Sequence, residues 1–175
     1  MEKEELETKD LILKKAKMED LNDIYENYWK EETTARYMLW KPCNSLEEAK
    51  ERLTKVIEFQ KDHMAYFVYE KATMRPIGMA AMKEIEPGIY EDGGFGIGSK
   101  FVGQGYGKQI LNAFIDYIFN ELKAKKIICS CDSRNIPSAK LQQSCGLKYS
   151  YSEKSVRKRD GEEYISDYYE IENNL

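Results

Sequence analysis

The sequence predicts an α+β fold built on a mixed, mostly antiparallel sheet, and three observations carry that expectation. Apolar-rich segments at 65–70, 76–85 and 89–98 follow one another through short turns around Thr73 to Pro76 and at Pro87-Gly88, the pattern of an antiparallel meander. A glycine-rich loop at 103–107, an amphipathic helix and a buried strand at 127–131 then make a βαβ crossover. The sheet therefore turns from antiparallel to parallel around its fourth strand. Finally, LKYSYS and EEYISDYYEI flank Asp160-Gly161 as a closing hairpin.

Taken in order, residues 1–9 read as a polar tail, and one domain spans 10–172. Leu11, Ile12 and Leu13 open it as a strand. From Met18 to Trp29, Leu21, Ile24, Tyr25 and Tyr28 recur at the three-and-four spacing of one buried helical face. The aromatic segment from Glu31 to Trp40 reads as one helical turn over a cleft, ended by Pro42. Ser45 with Glu48 is a capping-box pattern, and the apolar positions Leu46 to Ile57 continue a helix to about Lys61. Ile110, Leu111, Phe114, Ile115, Ile118 and Leu122 mark the long crossover helix. Pro137 stands where another helix begins, and Gly146 is placed to end it as a left-handed cap.

The chain has 175 residues, enough for one domain with its own core, and 42% apolar with 33% charged residues is the balance of a globular protein. No apolar run approaches the roughly 18 to 20 residues of a membrane span, and the start MEKEELETKD is too acidic for a signal peptide, so the expectation is a cytoplasmic protein without a membrane partner. Cys43, Cys129, Cys131 and Cys145 form no CxxC pair and have only His63 to join them, which predicts reduced thiols and no metal site. A net charge of −4 speaks against a nucleic-acid partner. The basic cluster Arg157, Lys158 and Arg159 beside Asp160-Gly161 reads as a solvated hairpin tip, with a phosphate patch as the alternative.

The most informative stretch is Gly103, Gln104, Gly105, Tyr106, Gly107 and Lys108, between a strand and a helix start. Glycines there let bare N–H groups approach a ligand, and the helix N-terminus adds about half a positive charge, so a pyrophosphate is the natural guest. The alternative is a turn built only for tight packing. The spacing rules out two commoner phosphate loops. A Walker A loop needs glycine at Val102 and Ser or Thr at Gln109, and a dinucleotide fingerprint needs glycine at Lys108.

Val102-Gly103-Gln104-Gly105-Tyr106-Gly107 resembles the Gln/Arg-x-x-Gly-x-Gly/Ala segment of the GNAT acetyltransferase superfamily, with Val102 in place of the usual polar residue. Asn135, Ser138, Leu141 and Gly146-Leu147 resemble that family's second segment, and Tyr37, Trp40 and the SLEEA helix start are similar to its RimJ/RimL branch. The resemblance covers about residues 10 to 172. It implies about seven strands with a central splayed parallel pair, flanked by about four helices. It also implies an acetyl-CoA-dependent N-acetyltransferase, without a metal, acting by direct transfer on a protein N-terminus or small-molecule amine. A non-catalytic CoA-binding or protein-interaction module is the alternative, and a homodimer is plausible because such a sheet has open edges.

By the same resemblance, the N–H groups of Gly103 to Lys108 cradle the CoA pyrophosphate, Ile97, Gly98 and Ser99 pair with the pantetheine arm, and Asn135 positions it. Transfer to an amine needs a neutral nucleophile and an acid for the leaving thiolate. Asp92, before Gly94-Phe95, is the first candidate base or cation attractor, and Glu91 the second; a solvated carboxylate is the other reading. The family's usual tyrosine after the second segment's aliphatic residue is absent, with Gln142 in its place, so Ser138 is the candidate acid, or else an ordinary first-turn serine. Tyr37, Trp40 and Phe95 are candidates for an acceptor pocket or for the core. Cys129 and Cys131 read as small hydrophobes on a buried strand.

Overall fold

A computed structural model of the chain describes residues 3–174. One eight-stranded sheet runs in the order β1-β2-β3-β4-β5-β6-β8-β7. Its strands are β1 (Glu5–Glu7), β2 (Leu11–Lys14), β3 (Ala65–Glu70), β4 (Arg75–Glu86), β5 (Ile89–Ile97), β6 (Lys126–Asp132), β7 (Lys148–Arg157) and β8 (Glu162–Glu172). All neighbours are antiparallel except β5 and β6. The strand beyond the expected seven comes from the segment read as a tail. Glu5–Glu7 pairs with β2 and buries Leu6, while its two glutamates face water, so polar composition concealed a short edge strand.

The helices are α1 (Leu21–Ile24), α2 (Glu32–Ala35), α3 (Leu46–Gln60), α4 (Tyr106–Asp116) and α5 (Ile136–Ser144). The helix expected over 18–29 is a composite: a 3-10 turn leads into α1, and a π turn at Tyr25–Trp29 follows it. α2 is the single helical turn read from the aromatic segment, and the chain from Arg36 to Pro42 is irregular. α3 starts as its capping pattern predicts, with the Glu48 N–H donating to Ser45 Oγ at 3.2 Å.

β3 is buried on both faces, which is why AYFVYE is a continuous apolar run with no alternation. Tyr66 and Val68 join a core with Ile110, Leu111 and Phe114 of α4, while Phe67 and Tyr69 join a second core with Ile24, Trp29 and Leu53. The sheet is thus the middle layer of three, held rigid by apolar packing on either side. Cys129 and Cys131 are buried as expected, and His63 stacks on Phe59 at the end of α3, its ring 3.8 Å away.

The parallel pairing of β5 with β6 stops early. Its register runs Ile89 with Lys126, Tyr90 with Ile127 and Glu91 with Ile128, and goes no further. Beyond it, Gly93 and Gly94 form a bulge opposite Ala81 of β4, with Gly94 at φ 93°, a conformation that glycine adopts without cost. The two strands diverge there, and a cleft opens between them.

Candidate active site

The cleft has a volume of about 360 Å³ and contains Asp92, Phe95, Asn135, Ser138, Tyr37 and Trp40, six of the residues singled out from sequence. Tyr28, Met38, Leu39, Met79, Cys131 and Tyr164 complete much of its wall. Glu91 does not reach it. Strand alternation turns Glu91 away from Asp92, and it lies opposite Lys83 in the β4 ladder.

Asp92 sits at the point of divergence. The Ser130 N–H, which has lost a β5 carbonyl to the splay, donates to Asp92 Oδ2 at 2.7 Å, and the Gly94 N–H released by the bulge donates to Oδ1 at 3.1 Å. The Cys129 thiol is a third hydrogen-bond donor to the carboxylate. Withdrawal from water, with a smaller contribution from the Glu91 charge, pushes the Asp92 pKa up to about 6, against the opposing effect of the Ser130, Gly94 and Cys129 donors. Burial also pushes up the Cys131 thiol, to about 11, and Cys129 well above its ordinary value, so neither is a ready thiolate near neutral pH.

On the other side of the cleft, Asn135 caps α5, accepting the Ser138 N–H at Oδ1 (3.3 Å). Gln142, fully buried one turn later, donates from Nε2 to the Ser130 carbonyl (3.4 Å) and to Ser138 Oγ (3.2 Å). The carbonyl can only accept, so it fixes which way the amide faces. The Ser138 oxygen is thereby an acceptor from Gln142, and its own proton is left to point elsewhere. Gln142 Oε1 has no partner.

The roof is the irregular stretch after α2, and arginines hold it in place. Arg157 Nη1 donates to the Arg36 carbonyl (2.9 Å), Arg159 Nη1 to that of Trp40 (3.0 Å), and Arg52 Nη2 to that of Lys41 (2.7 Å). Met38 lies on bare Gly96, where a Cβ would come within 2.1 Å of its methyl carbon, and Trp40 packs on Tyr28 with ring centroids 5.1 Å apart. The solvated hairpin tip expected at 157–159 is therefore wrong for two of its three residues. The Arg157 side chain is only 4% exposed and pairs with Glu162 at 3.1 Å, and Arg159 is 9% exposed beside Asp160. A charged triplet next to an Asp-Gly turn carries no sign that the hairpin folds back over a neighbouring loop.

The glycine loop lies outside the cleft lining, and its three glycines differ. Gly103 and Gly105 have φ of 83° and 78°, and a Cβ on either would meet nothing within 4 Å, so the backbone there is open to a ligand. Gly105 caps α4, whose first N–H groups have no intrahelical acceptor. At Gly107 a Cβ would come within 2.8 Å of Leu141, so this glycine serves the packing of α4 on α5. Tyr106 turns inward and donates to Glu70 (2.9 Å), leaving only its backbone to the loop, while Gln104 and Lys108 are exposed. Gly98 packs on the Asn27 carbonyl, with only 1.8 Å available to a Cβ. The Ser99 N–H donates to Thr34 Oγ1 and its hydroxyl to Glu31. Ile97 ends β5, paired with Gly78.

A strand splay at a cleft with an open glycine cap on the crossover helix fits the sequence family described as "Acetyltransferase (GNAT) domain", whose profile matches residues 10–148. The chain belongs to the GNAT acetyltransferases. The reaction of that family is acetyl transfer to amines. Comparison with curated protein sequences gives no match. Among solved structures, this GNAT chain is similar to an acetyltransferase from Bacillus anthracis (19% identity, 98% of this chain and 99% of that one, TM-score 0.83). It is also similar to a ribosomal-protein-S5-alanine acetyltransferase from Vibrio fischeri (21%, 97% and 97%, 0.72). A third is a spermidine N-acetyltransferase from Vibrio cholerae in complex with CoA and spermine (21%, 95% and 97%, 0.74). At these identities the likeness is one of fold. Among the described residues no helix is long and apolar enough to cross a membrane, and no cluster of His, Cys, Asp or Glu could hold a metal ion.

Proposed function

We propose that this protein is an acetyl-CoA-dependent N-acetyltransferase of the RimJ/RimL-like branch that transfers acetyl directly to a primary amine. The observation that carries the reading is Asp92 at the splay, a carboxylate withdrawn from water in a cleft walled by aromatic rings. Acetyl-CoA supplies an acetyl group on a thioester, a carbonyl carbon open to attack by a neutral amine. The N–H groups of Gly103 to Lys108 at the α4 N-terminus are suited to hold its pyrophosphate, because the backbone there is open. The β5 edge that β6 leaves unpaired is where the pantetheine arm would lie, and Asn135 borders the cleft beside it.

The balance of transfer assigns roles to the residues. A C–N bond forms and the C–S bond breaks; the amine gives up protons and the departing sulfur takes one. An alkylammonium has a pKa near 10, and a carboxylate at about 6 is nearer to it than an ordinary aspartate. Asp92 draws in the cation and relays its proton, directly or through water. Ser138 gives a proton to the sulfur, its oxygen held by Gln142 and its hydroxyl, which also bonds the Cys131 thiol, lying in the cleft lining. The lack of a tyrosine at position 142 favours the alternative, a module that binds CoA without turnover. The bond from Gln142 to Ser138 supports the enzyme.

Calorimetric titration with acetyl-CoA, beside a Gly105→Glu variant, tests the cradle. Saturable binding to the wild type and none to the folded variant is expected; no binding by either would remove the reading. Ser138→Ala should keep acetyl-CoA affinity and lower kcat about 100-fold. A variant at wild-type rate would take Ser138 out of the mechanism.

A further inference from the structure

Among the described residues, the charged ones that line the cleft are Asp92 and Asp132, and no lysine or arginine does. The two acids are not equivalent. Arg134 grips Asp132 through Nε to Oδ1 (2.9 Å) and Nη2 to Oδ2 (2.6 Å), with Arg157 Nη2 a further 3.7 Å from Oδ2. Both guanidiniums also reach Glu162, and Arg157 reaches Asp160, so the Asp132 charge is matched by cations within an ion-pair network. Arg36 lies over the Tyr37 ring and is not part of the lining. One uncompensated charge therefore faces the cleft, and it is the carboxylate of Asp92.

Around that charge the walls are aromatic and thioether groups from Tyr28, Trp40, Phe95, Tyr164, Met38 and Met79. An aromatic face attracts a cation and also takes apolar area, whereas it offers an anion nothing. The volume, about 360 Å³, is near the lower end of the roughly 300–1,000 Å³ range of small-molecule sites. The three arginine-to-carbonyl bonds hold the roof over it.

We infer that the acceptor is a small primary amine carrying one positive charge on an apolar, preferably aromatic, body, with no carboxylate or phosphate. The inference rests on the acetyltransferase reading and narrows it. A second ammonium on the acceptor would find no second unpaired carboxylate among the described lining residues, and an anion would find no cation. A peptide N-terminus brings further amide groups, each needing a partner, and of the polar side chains in the lining Tyr37, Asn135 and Ser138 are already engaged within the protein.

The test compares 2-phenylethylamine, spermidine, 4-aminobutyrate and an alanine-initiated tripeptide amide as acceptors for the whole protein with acetyl-CoA, following release of the CoA thiol. Calorimetry of each amine on CoA-saturated protein gives a readout independent of turnover. The expected order puts 2-phenylethylamine first in kcat/KM, about 100-fold over 4-aminobutyrate and about 10-fold over spermidine, with binding in the same order. Trp40→Phe and Phe95→Leu, which keep the packing, should raise KM for 2-phenylethylamine several-fold and leave acetyl-CoA affinity unchanged. Spermidine, the amino acid or the peptide in first place would overturn the inference and leave the acetyltransferase standing. Acetyl-CoA binding with no amine bound or acetylated would overturn both.

Discussion

At the residue scale the protein is dominated by one carboxylate. Asp92 closes a gap that the sheet itself makes, because the diverging strand leaves the Ser130 N–H without a carbonyl and Asp92 supplies the acceptor. Its pKa, raised from 3.8 to about 6, has a consequence for stability. The folded state holds the Asp92 proton more tightly than the unfolded chain, so this group's contribution falls as pH rises from about 4 to about 6 and stays low above that. Asp92→Asn has no charge to bury. Relative to the wild type it should gain about 2 kcal/mol between pH 4 and pH 8, on a baseline lowered by about 1 kcal/mol for the acceptor it loses. Urea unfolding of both proteins at the two pH values measures this, and a difference that does not vary with pH would return Asp92 to an ordinary carboxylate. The same titration should make acetylation rise through pH 6. Position mattered as much as residue type in reading this site. Asp92 was legible because it precedes Gly94-Phe95, and Ser138 because it falls in a recurring segment. Gln142 was visible only as a departure, since the sequence cannot show that its amide reaches back to Ser138.

At the scale of elements, what was legible had a local cause. Ser45 and Pro137 mark the starts of α3 and α5, Gly146 at φ 93° ends α5, and β3, β4 and β5 fall where turn residues leave them. What was missed depends on contacts remote in sequence. The π turn at Tyr25–Trp29 keeps a helical apolar pattern and so looks like ordinary helix. The β7–β8 turn holds the roof of the cleft, although Arg157 and Arg36 are separated by 121 positions. Arg157→Met is therefore expected to act twice. Asp132, whose side chain is 3% exposed, would keep Arg134 but lose its second cation, which should cost about 1 kcal/mol of stability. Releasing the Arg36 carbonyl should raise KM for the amine about 10-fold while acetyl-CoA affinity is kept, because the glycine cap lies outside the cleft lining. Denaturation and steady-state kinetics on the one variant separate these effects. An unchanged KM would mean that the other two arginines suffice to hold the roof.

At the scale of the whole molecule the sheet has two unequal edges. β7 is ten residues long and exposes Tyr149, Tyr151 and Val156, whereas β1 has three residues and two of them are glutamates. A short, charged strand is a poor template for another chain, so β1 works as a guard over the fully buried Leu11 and Leu13 of β2. It is also tied inward. Leu6 is 6% exposed, Tyr66 donates to the Lys3 carbonyl (2.6 Å), and the Lys3 N–H donates to the Tyr117 hydroxyl (2.9 Å). Removal of residues 1–7 should therefore lower stability by about 2 kcal/mol, roughly the burial of one leucine, and leave β2 as a bare edge. Three strands separate that edge from the splay, so acetyl-CoA affinity and the choice of amine should survive the truncation. Sedimentation of the truncated protein should show association that grows with concentration and that the full chain lacks. Loss of acetyl-CoA binding instead would mean that the first strand and the splay are coupled through the whole sheet, and that the site depends on the integrity of all eight strands.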